Sequence, residues 1–487
     1  MDGVNPRFDF TDPVPPVGEL GRVHLVAIGG AGMSAVARLL LARGVPVTGS
    51  DAADGPTLQA LRDAGAERVD VGHDAAHVEA ADTLVISSAV REENVEVAAA
   101  RAAGSRVLHR SQALASLMSD DQRVAVAGAN GKTTTTAMLV VGLVAAGADP
   151  SYAAGAEIAQ LGTNAAVGGG APFVVEADES DGSFLAYRPH VAVVTNVQPD
   201  HLDFYGTEAN VVAAYRQFAD SVVDGGLLVA CHDDPGSRAL ADRARESGRL
   251  VLTYGYDEGA DLRVLATEPD GLGTHSTLVR DGTELSLDLL VPGAHNVLDA
   301  CGAYLAAVDG CGAEPGAVLA GLAGFTGARR RFEVRGEADG VTVVDDYAHN
   351  APKVAALVST AAAIVRRSGG GALHVVFQPH LYSRTRDFAG AFAAALAPAD
   401  HVILLDVYGA REEPMEGVGS HLVGDPLRDL PGERTVVVGP SPQEAVALVA
   451  AAARPGDLVL TVGAGDVTRL GPLLLEALAA RTAGGTP

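Results

Sequence analysis

The chain contains 487 residues, 48% of them hydrophobic, with 58 glycines and a formal net charge of −26. That length exceeds what one hydrophobic core supports, so two to four domains are expected, and the glycine content fits a turn-rich α/β protein. The acidic charge argues against nucleic acid or an anionic membrane as a partner, because both bind basic surfaces. An anionic substrate would need a locally positive pocket.

The three cysteines, Cys231, Cys301 and Cys311, are odd in number and lack CxxC spacing. Buried free thiols are therefore expected, rather than disulfides or a zinc site. The N-terminus shows no basic start followed by an apolar run, which argues against a signal peptide. The longest apolar stretch, residues 137–148, is too short to cross a bilayer. These features predict a cytoplasmic protein without membrane insertion.

The first 21 residues are rich in proline and acid, and we expect a loose leader there. An apolar strand at residues 23–28 then precedes Gly30-x-Gly32-x-x-Ala35, which fits the dinucleotide-binding fingerprint in its alanine form. Asp51 ends the next strand, as in NAD-binding proteins. Because such a glycine loop suits any pyrophosphate, the motif leaves both an NAD-dependent oxidoreductase and another nucleotide-binding protein open.

The second motif lies at residues 124–136, where a short apolar run feeds a glycine turn and Gly131-Lys132-Thr133 opens a helix. This strand–loop–helix order, with Gly128 ahead of it, is a short variant of a phosphate-binding loop. Backbone N–H groups at a helix N-terminus attract anions, a lysine neutralises phosphate charge, and a hydroxyl can bind Mg²⁺. The chain has only two lysines, Lys132 and Lys353. An ordinary tight turn is the alternative interpretation.

Two polar clusters follow the next strands of this domain. A strand at residues 173–177 ends in the acidic run 176–181, and a strand at 191–195 precedes Asp200-His201. The carboxyl ends of parallel strands form the ligand-binding edge of an α/β sheet. A carboxylate and an imidazole brought to that edge could hold a metal beside the phosphate loop. A solvated turn and a structural histidine are the alternatives.

The last third of the chain repeats the α/β pattern. Short alternating strands at 261–290 predict an antiparallel addition, and Arg329-Arg330-Arg331 indicates either an anion clamp or a surface patch. Strands at 341–344, 372–377 and 458–462 each lead into a polar cluster, at 345–352, 378–387 and 463–466. We expect the three clusters to gather on one rim and form a site, with three unrelated turns as the alternative.

Together these residues resemble the Mur ligase family, over about residues 20–470. The motifs that carry the resemblance are Gly29-Gly-Ala-Gly-Met-Ser34, Gly128-Ala-Asn-Gly-Lys-Thr-Thr134, Glu176-Ala-Asp-Glu-Ser-Asp181, Asp200-His201, His295-Asn296, Asp345-Asp-Tyr-Ala-His349 and Phe377-Gln-Pro-His380. The resemblance implies an α/β fold of three domains. They are a Rossmann-like UDP-sugar-binding domain at 1–120, a central P-loop ATPase domain with a mainly parallel sheet at 121–330, and a Rossmann-like amino-acid-binding domain at 331–487.

The resemblance also implies an activity. The chain would be an ATP-dependent, amide-forming ligase that joins L-alanine to the lactyl carboxylate of UDP-N-acetylmuramate through an acyl phosphate. That step belongs to peptidoglycan precursor synthesis, and hence to cell-wall formation, cell shape and cell division. ATP and Mg²⁺ would be the cofactors, and the protein would act in the cytoplasm as a monomer or homodimer.

The family's site residues carry over position by position. The implied catalytic residues are Lys132, Glu176 and His201. The implied metal ligands are Thr133 for one Mg²⁺, and Glu176 and His201 for a second one near the attacking carboxylate. The implied ATP-binding residues are Gly128, Ala129, Asn130, Gly131, Lys132, Thr133, Thr134, His295, Asn296 and Arg330. The implied UDP-sugar residues are Gly30, Ala31, Gly32, Met33, Ser34, Asp51, His73, Ser87, Ser88 and Arg110. The candidates for L-alanine are Tyr347, His349, Arg384 and Arg386, and Asp346 would contact nucleotide or amino acid.

The chain departs from the family in three places. Ala129-Asn130 replaces a frequent Thr-His, and Leu381 stands where some members carry arginine. No lysine lies between Lys132 and Lys353, so the carbamylated lysine of some related ligases is not expected. Three rival hypotheses stay open: a family member that adds a whole peptide to the same UDP-sugar, an NAD-dependent oxidoreductase, and a catalytically idle nucleotide-binding protein.

Overall fold

The computed structural model describes residues 7–410 and 412–483. The chain forms two compact units that meet in sequence between Thr326 and Gly327. The first unit contains two β-sheets and the second contains one. Buried apolar strands with no polar alternation are typical of parallel sheets covered by helices on both faces, and β-strands such as Val23–Val26 and Val191–Val194 are buried at every position.

The first sheet is parallel and has five strands in the order β3-β2-β1-β4-β5. The strands are β1 (Val23–Val26), β2 (Val47–Asp51), β3 (Arg68–Val71), β4 (Thr83–Ile86) and β5 (Arg106–His109). The helices are α1 (Ala31–Ala42), α2 (Pro56–Asp63), α3 (Val95–Ala103) and α4 (Arg110–Leu117). The order in which successive strands join the sheet reverses between β1 and β4, and such a switch point opens a ligand-binding crevice at the carboxyl ends of the two strands.

The N-terminal segment corrects one expectation. Residues 1–6 of the predicted loose leader lie outside the described residues. From residue 7 onward the segment packs on the first sheet, because the buried rings of Phe8 and Phe10 lie 5.3 and 5.2 Å from the ring of His109. Leu20 is also buried, and Arg7 forms an ion pair with Glu92. Apolar side chains thus hold a proline-rich stretch in place.

The second sheet has ten strands in the order β15-β14-β13-β12-β11-β10-β6-β9-β7-β8. The strands are β6 (Gln122–Ala127), β7 (Ser151–Ile158), β8 (Thr163–Ala166), β9 (Pro172–Glu176), β10 (Val191–Val194), β11 (Leu227–Cys231), β12 (Leu250–Gly255), β13 (Leu262–Asp270), β14 (Gly273–Arg280) and β15 (Thr283–Leu289). The helices are α5 (Lys132–Ala145), α6 (Leu202–Tyr205), α7 (Glu208–Asp220), α8 (Pro235–Glu246), α9 (Ala294–Leu305) and α10 (Pro315–Ala323). Pairing is parallel from β7 through β9 and β6 to β13, and antiparallel for β8, β14 and β15. The predicted antiparallel addition is confirmed.

The third sheet, in the second unit, has six strands in the order β16-β17-β21-β18-β19-β20. The strands are β16 (Glu333–Ala338), β17 (Val341–Asp346), β18 (Leu373–Phe377), β19 (His401–Leu404), β20 (Thr435–Val438) and β21 (Leu458–Val462). The helices are α11 (Ala351–Arg367), α12 (Tyr382–Leu396), α13 (His421–Asp429), α14 (Pro442–Ala452) and α15 (Leu470–Ala483). Only β16 pairs antiparallel. After β20 the chain returns to place β21 beside β18, and this change in strand order creates a second crevice at the carboxyl ends of β18 and β21.

The predicted fold class, α/β with mainly parallel sheets, is confirmed. The boundaries at residues 120 and 330 stay predictions. All three cysteines are free thiols, Cys231 and Cys301 buried and Cys311 partly so. Among the residues that the structure describes, no helix is long and apolar enough to cross a membrane.

Candidate active site

The phosphate loop joins β6, in the middle of the second sheet, to α5. Its glycines are required by geometry, since Gly128 has φ +141° and Gly131 has φ +86°. A Cβ at Gly128 would collide with Thr195 Oγ1, and one at Gly131 with Asp299 Oδ1 on α9. Both positions therefore combine a backbone conformation that favours glycine with a close approach of another chain segment.

The segment after β10 holds the loop in place. Thr195 Oγ1 and Asn196 Nδ2 both donate to the carbonyl of Asn130, at 2.5 and 2.9 Å. The Asn130 N–H donates to Asn196 Oδ1 (3.0 Å), and its side-chain amide donates to Gln198 Oε1 (3.1 Å). Ala129 is buried. The departure at Ala129-Asn130 thus keeps a clamped loop whose following N–H groups, at the start of α5, suit an anion.

Lys132 folds back over this loop. Its Nζ donates to the carbonyl of Gly128 (2.6 Å) and lies 2.7 Å from Glu179 Oε2. The Lys132 side chain is 14% exposed and that of Glu179 only 2%. Burial by itself would lower the pKa of Lys132, but Glu179 and Asp178 outweigh burial and raise that pKa. The loop therefore carries a fixed positive charge, held by a buried carboxylate.

A second group of oxygen atoms lies at the first turn of α5. Thr133 Oγ1 donates to Glu176 Oε1 (2.9 Å), and the Gly155 N–H donates to Glu176 Oε2 (2.7 Å). Glu176 ends β9, directly beside Val126 of β6 in the sheet register. A hydroxyl and a carboxylate at a phosphate loop are the hard ligands that Mg²⁺ prefers.

His201 belongs to a neighbouring cluster. It caps α6 with φ +53°, and its Nε2 lies 3.6 Å from Glu179 Oε1 and 3.9 Å from Asp200 Oδ2. Burial would lower the pKa of His201, but the hydrogen bond to Glu179 and the charge of Asp200 raise it. Throughout 7–410 and 412–483, no group of three or more His, Cys, Asp or Glu side chains forms a complete metal-ligand set. The joint metal role of Glu176 and His201 stays a prediction.

The glycine loop of the first sheet leads from β1 into α1, with Gly30 as its N-cap. The N–H of Gly29 donates to Asp51 Oδ2 (2.8 Å), so Asp51 supports the loop from β2. Met33 and Ser34 are buried. Their side chains therefore support α1, and a ligand at this loop would meet backbone N–H groups of the segment from Gly30 onward, including Ala31.

Arg110 connects the two sheets of the first unit. Its Nη1 lies against Gly32, 2.9 Å from where a Cβ would be, and its Nη2 donates to Asp178 Oδ2 (3.1 Å). The positive charges of Lys132 and Arg110 outweigh burial and lower the pKa of Asp178 to about 2. Predicted UDP-sugar residues therefore lie next to the acidic run that follows β9.

Ser88 and His109 make further contacts between the first sheet and the acidic run that follows β9. Ser88 Oγ donates to Asp181, and His109 Nε2 lies 3.4 Å from Asp181 Oδ2. Ser87 begins the turn after β4, where its carbonyl accepts the N–H of Val90 (3.0 Å). The structure thus brings Ser87, Ser88 and Arg110 to the carboxyl edge of the first sheet, at the crevice between β1 and β4.

His295 and Asn296 open α9, beside the phosphate loop. Asn296 is buried and donates to the carbonyl of Pro292 (2.7 Å), which indicates a structural role. His295 is exposed, so it is the member of this pair that a ligand can reach. One turn later, Asp299 lies against Gly131.

In the second unit, Arg330 and Asp346 bind backbone. The Arg330 guanidinium donates to the carbonyls of Gly463 (2.5 Å) and Gly465 (3.1 Å) and lies 4.9 Å from the ring centre of Tyr347. Asp346 accepts N–H groups from Phe332 and Ala348, both at 2.7 Å. Arg330 thus ties the loop after β21 to the end of β17, and ligand contacts for both residues stay predictions.

The three polar clusters of this unit gather on one rim, as predicted. The rings of His349 and His380 lie 5.7 Å apart, and Gln378 Nε2 donates to Asp466 Oδ1 (2.8 Å). The ring of Tyr347 packs 5.1 Å from that of His349. Burial lowers the pKa of His349 to about 3, assisted by the charge of Lys353.

Arg384 and Arg386, the two candidates for binding an amino-acid carboxylate, have different surroundings. Arg384 Nη1 lies 3.5 Å from the carbonyl of His349, near the rim. Arg386 is half-exposed and pairs with Asp387 at 2.7 Å. Residues two apart on a helix face different directions, so the structure brings Arg384, and not Arg386, to the Tyr347–His349 pair.

Sequence reasoning missed the acids that hold the cations. Asp178, Glu179 and Asp181 belong to the acidic run after β9, and each contacts a predicted site residue: Arg110, Lys132 and Ser88, respectively. One signal was available: several carboxylates at the end of a buried strand need cationic or N–H partners nearby. The sequence does not say which acid faces which cation, because that depends on the turn after β9.

The phosphate loop lies on a mainly parallel sheet, and Arg110 and the acidic run after β9 link it to the glycine loop of a Rossmann-like sheet. This arrangement is typical of a multidomain nucleotide-dependent enzyme. Family models match along the chain: the catalytic domain of the Mur ligase family at residues 22–122, the Mur ligase middle domain at 126–307 and the Mur ligase glutamate ligase domain at 330–465. The chain belongs to the Mur ligase family.

Individual relatives match over nearly the full length. The UDP-N-acetylmuramate–L-alanine ligase of Kineococcus radiotolerans is 56% identical, over 96% of this chain and 98% of the relative. The enzyme of that name from Paenarthrobacter aurescens is 51% identical, over 96% and 100%. The crystal structure of the UDP-N-acetylmuramate-alanine ligase from Thermotoga maritima has a TM-score of 0.78 at 28% identity, over 94% and 99% of the two chains.

Proposed function

We propose that this protein is an ATP-dependent ligase that joins L-alanine to the lactyl carboxylate of UDP-N-acetylmuramate, in peptidoglycan precursor synthesis. The observation that supports the proposal is that two candidate anion-binding sites, the phosphate loop and the glycine loop, are linked through adjacent residues. Lys132 in the phosphate loop pairs with Glu179, and Asp178, one residue before, pairs with Arg110 against the glycine loop. The relatives named above supply the identity of the two substrates to be joined.

The proposed reaction has two steps. A carboxylate oxygen of the UDP-sugar attacks the γ-phosphorus of ATP, and the bond to the bridging oxygen breaks to give ADP and an acyl phosphate. The amine of L-alanine then attacks the acyl carbon, expelling phosphate and losing a proton to form the amide. Lys132 and the N–H groups at the start of α5 would stabilise the charge that develops on the phosphates.

Mg²⁺ fits the oxygen atoms at the first turn of α5. Thr133 and Glu176 would hold it, with His201 as a further candidate, and phosphate oxygens and water would complete its coordination. When bound, Mg²⁺ neutralises phosphate charge and reduces the repulsion between two anionic reactants.

For the amino acid, the rim of the second unit offers the better candidates. Tyr347, His349 and Arg384 lie together there, and an arginine supplies two parallel N–H donors for a carboxylate. Because burial keeps His349 neutral at physiological pH, it would add no charge of its own next to Arg384.

A four-component phosphate-release assay tests the proposal. Release should require ATP, Mg²⁺, UDP-N-acetylmuramate and L-alanine together. Release from ATP and L-alanine without the UDP-sugar would contradict the assignment.

Replacing L-alanine by a tripeptide tests the peptide-adding alternative, and a fluorescence change of NADH on binding would indicate an oxidoreductase. The absence of release with all four components would indicate an idle nucleotide-binding protein.

A further inference from the structure

A buried carboxylate lies beneath the carboxyl edge of the first sheet, next to the site but outside the residues assigned to it. Glu96 stands in the first turn of α3 and is completely buried. A carboxylate at such a depth needs hydrogen-bond donors around it. The helix N-terminus adds N–H dipoles that favour negative charge.

Four polar side chains surround Glu96. Ser50 Oγ donates to Oε2 (2.6 Å), and His77 Nδ1 lies 2.7 Å from Oε1. His73 Nδ1 lies 2.9 Å from Oε2, and His24 Nε2 lies 3.7 Å from Oε1. Burial alone would raise the pKa of Glu96, but interactions with His24, Ser50 and His77 outweigh burial and lower the pKa to about 2. Glu96 is therefore an anion that only accepts hydrogen bonds.

This environment fixes the proton on one nitrogen of His73. Its Nδ1 faces two acceptors: Glu96 Oε2 and, at 3.1 Å, the hydroxyl oxygen of Ser50, whose single proton is directed to Glu96. Nδ1 must therefore carry the hydrogen. In a neutral imidazole, Nε2 is then the acceptor.

The position of His73 brings that acceptor to the site. His73 follows β3 through Gly72, whose N–H donates to the carbonyl of Asp51 (2.7 Å). Asp51 in turn supports the glycine loop through Gly29. The His73 side chain is 28% exposed. With Nδ1 directed inward, Nε2 is the nitrogen that a ligand can reach.

We propose that Glu96 is a positioning residue for the nucleotide-sugar site: it holds His73 with Nδ1 protonated, so that Nε2 accepts a hydrogen bond from the uridine. The imide N–H of uracil and the ribose hydroxyls are suitable donors, whereas a fully ionised pyrophosphate has none. The identity of the ligand rests on the proposed function.

A double-mutant cycle tests the role of Glu96. Glu96→Gln keeps the shape of the side chain but no longer dictates the proton position of His73. Glu96→Gln and His73→Gln should each raise KM for UDP-N-acetylmuramate about tenfold, the loss of about one hydrogen bond, while kcat and KM for ATP stay unchanged. The double variant should be no worse than either single variant. His275→Gln, which breaks an exposed histidine–carboxylate pair with Asp288 in the second sheet, is the control and should leave that KM unchanged. Additive effects would overturn the proposal.

Nitrogen NMR of ¹⁵N-histidine-labelled wild-type protein provides a test that does not depend on the folding of a variant. The His73 signal, assigned by its loss in His73→Gln, should show protonated Nδ1, and its Nε2 shift should change when UDP-N-acetylmuramate binds. Protonated Nε2 in the free protein would contradict the role of Glu96 but not the proposed function. Failure of the wild-type protein to bind UDP-N-acetylmuramate would contradict the proposed function as well.

Discussion

The ammonium group of Lys132 lies between two kinds of anion in the proposed reaction. In the structure, Glu179 neutralises it in nearly complete burial. Phosphate oxygens at the start of α5 would present a second set of negative charges to the same group. A buried charge needs a partner at every stage, so Glu179 keeps the phosphate loop stable when no phosphate is bound.

Lys132→Ala therefore should have two separable effects. Turnover should fall at least about 10³-fold, because charge on the phosphates is no longer neutralised, while binding of the UDP-sugar stays nearly intact. Stability should fall by about 3 kcal/mol, because Glu179 is left buried without its partner. Urea unfolding and isothermal titration with the UDP-sugar measure these effects.

The control is Lys132→Ala combined with Glu179→Gln. The double variant should regain most of the lost stability but none of the turnover. Equal loss of turnover and UDP-sugar binding in Lys132→Ala would contradict the separation of the two anion sites.

Gly128→Ala should abolish turnover, since the new methyl group adds a collision with Thr195 Oγ1 to an unfavourable φ of +141°. Gly147→Ala is the matched control: its φ is +75°, but a Cβ there would meet no atom within 4 Å. It should cost about 1 kcal/mol of stability and leave the kinetic constants unchanged. Phosphate release and thermal unfolding separate the two cases. Similar losses of turnover in both variants would show that backbone strain, rather than the collision, is responsible.

At the scale of single residues, the sequence predicts which residue types form the site better than it predicts their contact partners. It identifies Lys132, Thr133 and Glu176, and the last two form a hydrogen bond. It does not reveal that Glu179 binds Lys132, because the orientations of side chains in an irregular turn depend on tertiary contacts. It also does not separate Arg384 from Arg386, whose directions are set by where α12 begins.

At the scale of elements, the junction between β5 and α4 joins three parts of the first unit. His109 caps α4 by accepting the N–H of Ser111, packs against Phe8 and Phe10, and faces Asp181. Burial lowers the pKa of His109 to about 4, although Asp181 opposes this effect. Protonation would replace a hydrogen-bond acceptor by a buried charge.

This junction predicts a loss of stability in mild acid. An unfolded histidine has a pKa of about 6.5, whereas that of folded His109 is about 4. As pH falls, the unfolded chain binds the proton first, so stability that is fully present above pH ~6.5 is lost by pH ~4, by up to about 3 kcal/mol. Urea unfolding between these pH values should show a steeper decline for the wild-type protein than for His109→Gln. Parallel curves would contradict the assignment.

The elements themselves were largely predictable. Apolar runs bounded by glycine or polar clusters indicated the strands, and strand-end clusters at one rim followed from parallel topology. The packing of residues 7–20 was not predictable, because proline and acid dominate that stretch and the burial of two phenylalanines depends on a distant surface. β1 also ends at Val26 rather than at residue 28, since Ala27 adopts φ +58° to enter the glycine loop.

At the scale of the whole molecule, a chain with a formal charge of −26 binds anionic reactants under the proposed function. Its long-range field repels ATP and the UDP-sugar, and only local cations such as Lys132 and Arg110 attract them. Salt screens this repulsion, whose range falls to about 10 Å at 0.1 M. Salt weakens the attraction by partly buried cations much less.

Moderate salt should therefore favour the anionic substrates. Between low salt and about 0.15 M KCl, kcat/KM for ATP and for the UDP-sugar should rise roughly twofold, because electrostatic repulsion slows association. L-Alanine, a zwitterion without net charge, is the internal control and should show no such rise. Steady-state kinetics with each substrate varied in turn provides the measurement, and a steady decline for both anions from the lowest salt would contradict the prediction.

The enclosure of Lys132 also has a chemical consequence. Amine-selective acylating reagents attack neutral amines, and besides Lys132 the only lysine side chain is Lys353. The ion pair with Glu179 and a raised pKa keep Lys132 protonated and unreactive. Acylation at Lys132 must therefore await the separation of this ion pair. The ratio of modification at the two lysines, measured by mass spectrometry, then reports how often Lys132 and Glu179 separate.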